Sequence, residues 1–378
     1  MLRERKCTMK NKHVLNVFSL LAAVCIAAGC RGSTTAETTE TTGTQDTAVQ
    51  TTATESENVL IPKSVELGDR SYDAQTEELT LYINDETDVS GLSLMKNLKK
   101  LSLCSAVPEK NIECLGYESI KDLSSLESLS LENVVFRNES GYDFALLNSL
   151  PNLNDISVNL DSSVNFECLA DIENLTKLTL NVDGEIDVSG IGKLKNLSEL
   201  KLINKSIYDY GNVKNIGSIS ETEKLRSLSL YLVRFDESYG MKFDFLYEIP
   251  ALEKVELGWY VLDDWTFLNN LTDIEDLTLF RCNIDNTEFV NEMSSLKNLA
   301  LTNTKITNYD CLNDNYSVEN LSLVENGMAE SDYDFSGISH LKKLKRLFVC
   351  ENPVDKEKYD RGIEAVKSAL PDCEITEY

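Results

Sequence analysis

One pattern, apolar-x-x-apolar-x-x-Leu-x-Leu, recurs from residue 79 to about residue 354 and leaves this chain few ways to fold. The Leu-x-Leu pairs or their equivalents begin at Leu79, Leu101, Leu129, Ile156, Leu178, Leu200, Leu228, Val255, Leu277, Leu299, Leu321 and Leu347. All twelve first positions and all twelve second positions, Leu81 through Val349, are Leu, Ile or Val. The residue three before the first position is apolar in eleven of the twelve, from Leu98 to Leu344. In an extended strand the paired leucines share one face, and the residue between them points to the other. One strand per repeat, joined by right-handed crossovers, stacks into a parallel sheet. A single repeat cannot bury its own apolar face, so its neighbours must supply the core. Twelve strands at a spacing of about 4.8 Å predict a sheet roughly 53 Å long.

The repeat spacings are 22, 28, 27, 22, 22, 28, 27, 22, 22, 22 and 26 residues. This is the period of a leucine-rich repeat. The fold class expected is α/β: a leucine-rich-repeat solenoid with a curved parallel sheet on the concave face. Loops, 3-10 turns and short helices would form its convex face. A longer period of 99 residues is superimposed. Asp88-Val89-Ser90-Gly91 returns at Asp187-Val188-Ser189-Gly190, and Phe136, Gly141, Phe144 and Pro151 return at Phe235, Gly240, Phe243 and Pro250. Four-repeat blocks have been duplicated, and the longer repeats should bulge outward.

The 22-residue repeats resemble the internalin type. The whole layout resembles the leucine-rich-repeat surface lipoproteins of Gram-positive bacteria. Asn326 and Asn352 stand where that family places an asparagine ladder, and Cys282 and Thr304 are acceptable substitutes. Ala106 and Lys205 depart from it. The resemblance implies adhesion or protein recognition and specifies no ligand. Exposed sheet edges need caps. Residues 59–78 read as an N-terminal cap, a strand followed by a turn. Residues 355–378 read as a C-terminal cap with a helix, N-capped by Asp355, that buries Ile363, Val366, Ala369 and Leu370 and stops at Pro371. Cys373 and Ile375 would tuck under the last repeat.

Residues 1–29 read as a lipoprotein signal peptide. Five basic residues precede a fifteen-residue apolar run, Val14 to Ala28, which is shorter than the 20 or so residues a membrane span needs. Ala27-Ala28-Gly29-Cys30 resembles the lipobox of bacterial lipoproteins, which implies lipidation of Cys30 and a protein anchored on the extracellular face of the cell membrane. An ordinary signal peptide with an incidental cysteine is the alternative. Residues 30–58 form a Thr-rich tether, with eleven threonines between residues 31 and 58 and almost no large apolar residue. Such a segment buries too little surface to offset its ordering entropy.

Charge narrows the partners. The 378 residues carry 36 Lys and Arg against 63 Asp and Glu, a formal net charge of −27. Residues 1–29 hold five of the basic residues and one acidic residue, so the remainder stands at −31. This argues against nucleic acid, whose phosphates need cationic partners. Two histidines in the whole chain leave no Ser/His/Asp or Cys/His constellation to assemble. No enzyme activity, cofactor or metal is expected. Glu330, Asp332 and Asp334 alternate as calcium ligands can, but the Gly turn and bidentate Glu of such a loop are missing, and solvated loop charge is the simpler account. Cys114, Cys168 and Cys311 share one local frame and read as small core residues. Cys104 and Cys350 fall on outward strand positions and are the better candidates for reactive thiols.

Two lanes of the concave face can be read directly. The residues between the paired leucines are Thr80, Ser102, Ser130, Ser157, Thr179, Lys201, Ser229, Glu256, Thr278, Ala300, Ser322 and Phe348, eight of them hydroxylated. They offer either a wet strand surface or a floor for glycans. Beside them Tyr231, Trp259, Phe280 and Arg281 come from the seventh, eighth and ninth repeats as exposed aromatics and an arginine, the residues of protein-binding hot spots. Alternatively Trp259 folds into its long loop with Tyr260 and Trp265 as a satellite core. A monomeric protein that binds a protein ligand through this face is expected. A glycan or cell-wall ligand, a hydrolase site in the acidic loops, or a ligand-free spacer are the rivals.

Overall fold

The computed structural model describes residues 62–378, apart from 108–109, 140, 161–163, 165, 206–210, 236–241, 305, 307–308, 310–311, 313–316, 325–334, 350–355 and 378. The segments expected to be signal peptide and tether, with Cys30, Asn326, Asn352, Asp355, Cys311, Cys350 and residues 330–334, lie outside the described residues. Leu60–Tyr378 forms one compact unit.

Each Leu-x-Leu segment is a strand, and the strands follow one another in chain order in a single parallel sheet. The sheet opens with Glu78–Ile83 and Lys100–Ser105 and runs on through Lys254–Gly258 and Asp276–Phe280 to Arg346–Val349. Leucines pair with leucines throughout: Leu79 lies beside Leu101, Leu178 beside Leu200, Leu277 beside Leu299. Register is strongly specified, because a slip of one residue would turn every leucine to solvent. The inward side chains are fully buried at positions such as Leu103, Leu180, Leu202 and Leu257. Each contributes about 1.5–3 kcal/mol by leaving water. Short 3-10 turns such as Ser90–Leu94, Ser189–Lys193 and Asp244–Glu248 return the chain and seal the core with one or two apolar residues each.

The sheet has thirteen strands, not twelve. Glu374–Glu377 pairs in parallel with Arg346–Val349, Ile375 lying beside Leu347. The tail therefore closes the repeat array as a strand rather than by tucking beneath it, and Cys373 and Ile375 pack half-buried against the core. Before it, helix α1 (Lys356–Ala369) covers the end of the core with Tyr359, Ile363, Val366 and Leu370. Ala369 is exposed, contrary to expectation, because Tyr359 completes the buried face at the other end of the helix. The N-terminal cap is an antiparallel hairpin, Ser64–Leu67 with Arg70–Asp73, rather than one strand and a turn. Gly68, in the left-handed region at φ +60°, makes its tight reversal. Val65 and Leu67 face the core.

The 99-residue duplication persists in the backbone. Asp88 and Asp187 each accept a hydrogen bond from the amide two residues on, Ser90 and Ser189, at 2.8 Å in both cases. Ser119 and Ser218 each donate to the carbonyl of the valine next to that aspartate, Val89 and Val188, in the preceding repeat, at 3.0 and 2.8 Å. Gly91 and Gly190 lie where a Cβ would stand 2.6 Å from backbone atoms of the preceding repeat. Left-handed residues recur across the same interval: Gly116 with Asn215, and Asn133 with Leu232. The residues between the Leu-x-Leu strands add short strands of their own, including a ladder of Glu185–Asp187, Gly211–Lys214 and Val233–Phe235.

Candidate functional site

The lane between the leucines is continuous, each residue lying beside its counterpart on the next strand from Thr80 to Phe348. Its centre is closed rather than open. Glu256 is 4 % exposed and Ser229 fully buried. Ser229 Oγ donates to Glu256 Oε2 at 2.7 Å, and Tyr231 Oη donates to the same oxygen at 3.1 Å. Lys254 Nζ stands 2.8 Å from Glu256 Oε1. Burial pushes the Glu256 carboxyl up, but Lys254, Ser229 and Lys201 outweigh it, and the pKa lies below the ordinary glutamate value. The group is ionised and satisfied.

On the residue before each pair, polar side chains join successive strands. Asn298 Nδ2 donates to Asp276 and Asn320 Nδ2 donates to Asn298. Arg346 Nε then donates to Asn320 Oδ1 at 2.7 Å. One position earlier, Lys99 pairs with Glu77, Arg226 with Glu253, Lys297 with Glu275 and Lys345 with Glu319. These exposed pairs contribute little individually, but they leave few cations of the sheet margin without an acid.

The strand ends differ. Asn133, Leu232, Trp259, Arg281 and Asn303 occupy one repeat position, four residues after the first leucine, and all are left-handed, with φ between 51 and 66°. Trp259 and Arg281 are locked there by donating their amides to the carbonyls of Phe280 and Thr302 on the next strands, at 2.7 and 2.8 Å. The Arg281 guanidinium lies 4.2 Å from the Trp259 ring centre and 5.5 Å from that of Phe280. Trp259 meets Phe280 edge to face at 5.8 Å. Arg281 makes no ion pair among the described residues, and its buried Nε lacks any hydrogen-bond partner.

Trp259, Phe280 and Arg281 thus come together, with Tyr231 one strand further on. Two of the four are not exposed as the sequence suggested. Tyr231 is 8 % and Phe280 5 % exposed. The Tyr231 ring falls across Gly258, where a Cβ would lie 2.1 Å from Cδ1. Phe280 is covered by Trp259 and Arg281. Half-buried Ile203 lies beside Tyr231 on the opposite strand and extends the apolar strip. Sequence reading missed it, although it shares the repeat position of Tyr231 and Phe280. Trp259 stands apart from the satellite core. Tyr260 is fully buried with Oη donating to the Val233 carbonyl at 3.0 Å, and Trp265 donates to Asn283 Oδ1 at 2.9 Å and stacks on Phe267.

Cys104 is a weaker nucleophile than its strand position suggests. Burial, then the Glu132 carboxylate, push its pKa up to about 11, so the thiolate that would react is disfavoured. Cys114 is buried, with its pKa raised to about 12. Cys282 fills the asparagine-ladder position, its thiol 3.5 Å from the carbonyls of Leu257 and Phe280. Asparagines also form a ladder at the other end of the strands, where Asn152, Asn174 and Asn196 donate to the carbonyls of Ser124, Pro151 and Glu173. Lys205 departs from the family pattern by reaching Asn133 Oδ1, 2.7 Å away and three repeats back. A cleft of about 570 Å³ lined by Phe243, Asp244, Tyr247, Asp264 and Phe267 opens between two 3-10 turns. Among the described residues, no group of three His, Cys, Asp or Glu could hold a metal, and no helix is long and apolar enough to cross a membrane.

No family model matches this sequence, and no curated protein matches it. Solved structures do. An internalin from Listeria monocytogenes is 16 % identical with a TM-score of 0.48, over 81 % of this chain and 89 % of that one. A leucine-rich-repeat protein of Leptospira interrogans is 20 % identical with a TM-score of 0.46, over 79 % of this chain and 83 % of that one. Internalin C2 of Listeria monocytogenes is 13 % identical with a TM-score of 0.33, over 70 % and 84 %. The fold itself rests on the strand order and register: this chain is a leucine-rich-repeat solenoid.

Proposed function

We propose that this protein is a binding module that recognises a protein ligand through its concave face, at the strip of Ile203, Tyr231, Trp259, Phe280 and Arg281, and that it has no catalytic activity. One observation carries the reading. At the left-handed strand-end position the fold is served by asparagine at Asn133 and Asn303 and by a buried leucine at Leu232, yet the next two repeats place the half-buried Trp259 and Arg281 there. A left-handed backbone is unfavourable for bulky residues and tolerable for asparagine. Such strain, on the order of 1–3 kcal/mol per residue, tends to be kept where a surface engages a ligand. An aromatic ring with a stacked guanidinium is also what dominates protein interfaces. The glycan alternative leans on the hydroxyl lane, whose centre is occupied by the Ser229–Glu256–Lys254 network. In this reading Cys30 carries the lipid anchor, residues 30–58 hold the solenoid away from the bilayer, and the protein acts as a monomer at the cell surface.

A photo-crosslinking residue at position 203 tests the reading, with one at the opposite, convex position 340 as the control. A protein adduct at 203 alone, lost in Trp259→Asn, is expected. Adducts at 340 alone, or adducts indifferent to Trp259→Asn, would refute it. Cys30→Ala should release the protein from the membrane fraction, and retention there would remove the anchor.

A further inference from the structure

We infer that Arg281 is a carboxylate receptor, and that the partner segment seated on the concave strip presents an aspartate or glutamate side chain to it. The inference deepens the binding reading above and rests on it. Its ground is an unfilled valence. Along the sheet margin, Lys99, Arg226, Lys254, Lys297 and Lys345 each face an acid of this chain. Arg281 has none among the described residues, although the chain holds 63 acidic residues. Its guanidinium is spread over Trp259 and Phe280, and its Nε is buried without an acceptor.

A buried donor without a partner is costly unless something outside the chain completes it. Guanidinium is suited to that role, because its planar fork accepts a carboxylate on two nitrogens while its face remains stacked on an aromatic ring. The geometry is held ready. The Arg281 amide is committed to Thr302 and the Trp259 amide to Phe280, so the strand ends need not reorder on binding. The neighbouring cations cannot compete for the incoming group. Lys254 is already held by Glu256, and Lys201 by Glu199 at 3.1 Å. A net charge of −27 repels a broadly acidic partner, and over more than about 10 Å that field is screened. The fitting ligand is therefore a neutral or basic protein surface carrying one acidic side chain among apolar neighbours, the apolar part lying over Ile203 and Tyr231.

The test uses the full chain with Trp265→Phe, which leaves Trp259 as the single tryptophan of the two in the sequence. The probes are the blocked peptides acetyl-Leu-Glu-Leu-amide and acetyl-Leu-Gln-Leu-amide, with glucuronate as a third arm. Trp259 emission and the Arg281 Nε–Hε nuclear resonance are the readouts. The glutamate peptide should perturb both saturably, and the glutamine peptide should bind about tenfold more weakly, the factor expected of one charge-assisted contact. Arg281→Asn, which places at 281 the residue the fold already uses at Asn303, should abolish the preference. Arg281→Lys, which keeps the charge and loses the fork, should reduce it. Equal affinity for the two peptides, no saturable response to the glutamate peptide, or a response to glucuronate alone would each overturn the assignment. If Trp259→Asn abolishes the cross-link at 203 while the peptides remain indistinguishable, the binding face stands and the role of Arg281 falls.

Discussion

Glu256 shows how a single side chain can tie a solenoid surface to pH. Burial alone would raise its pKa, and Lys254 together with the hydroxyl of Ser229 reverses that. A carboxyl whose folded pKa lies below its unfolded value adds stability above that unfolded value, near 4.5, and the contribution is lost as the pH falls further. Glu256→Gln should therefore lower the urea midpoint at pH 7 and flatten its dependence on pH between about 5 and 3. An unchanged acid limb would show that Lys254 and Ser229 do not hold the charge. The cost at neutral pH should be about 1–3 kcal/mol, because the partners stay buried while their acceptor is weakened. This network was not legible in the sequence. Glu256 and Lys201 appeared only as exceptions in a hydroxyl lane, and nothing in their spacing reveals that Tyr231 lies over Gly258 and seals Glu256 from water.

At the scale of the element, the strand end carries both the strain and the candidate site. Trp259→Asn and Arg281→Asn each remove a side chain that is only half-buried and relieve a left-handed backbone. Both should leave the thermal midpoint unchanged or raise stability by up to about 1 kcal/mol while ligand binding is lost. A fall of more than about 2 kcal/mol would mark these residues as ordinary core packing. The strands were legible because paired leucines at a fixed period admit one register, and all twelve expected positions lie in one sheet. The thirteenth strand was not, because Glu374–Glu377 alternates only weakly and lacks a leucine pair. The hairpin of the N-terminal cap was missed for a similar reason, since Gly68 gave a turn without saying what pairs across it. Tyr231 and Phe280 were placed on the correct face, but their burial depends on Gly258 and Arg281, which belong to neighbouring repeats and meet them only after folding.

The whole molecule is a stack in which each repeat rests on its neighbours. Most ion pairs among the described residues are exposed and individually weak, whereas the chain's net charge of −27 acts on the entire array. Self-repulsion of that size opposes the compact state, so raising the salt from about 0.02 to 0.5 M, which shortens the screening length, should raise the thermal midpoint. A midpoint that falls instead would mean that the inter-repeat pairs outweigh the net charge. Removing residues 355–378 should expose the edge of Arg346–Val349 and the face of Phe335 that helix α1 covers, giving a less stable, self-associating protein in sedimentation.

The left-handed strand ends have a metrical consequence. Trp259 and Arg281 sit on adjacent strands, so their spacing along the solenoid is one inter-strand step of about 4.8 Å. An extended peptide lying along the same direction advances about 3.3 Å per residue. Two steps of the sheet, roughly 9.6 Å, then nearly equal three residues of peptide, roughly 10 Å. The side chains of an extended peptide alternate between its two faces, so the third residue points away from the sheet, and distance and face match together only at the sixth residue, roughly 20 Å on, against four repeats, roughly 19 Å. A partner crossing this face in extended form should therefore repeat its contact residues by sixes, as the marks of a vernier fall back into coincidence.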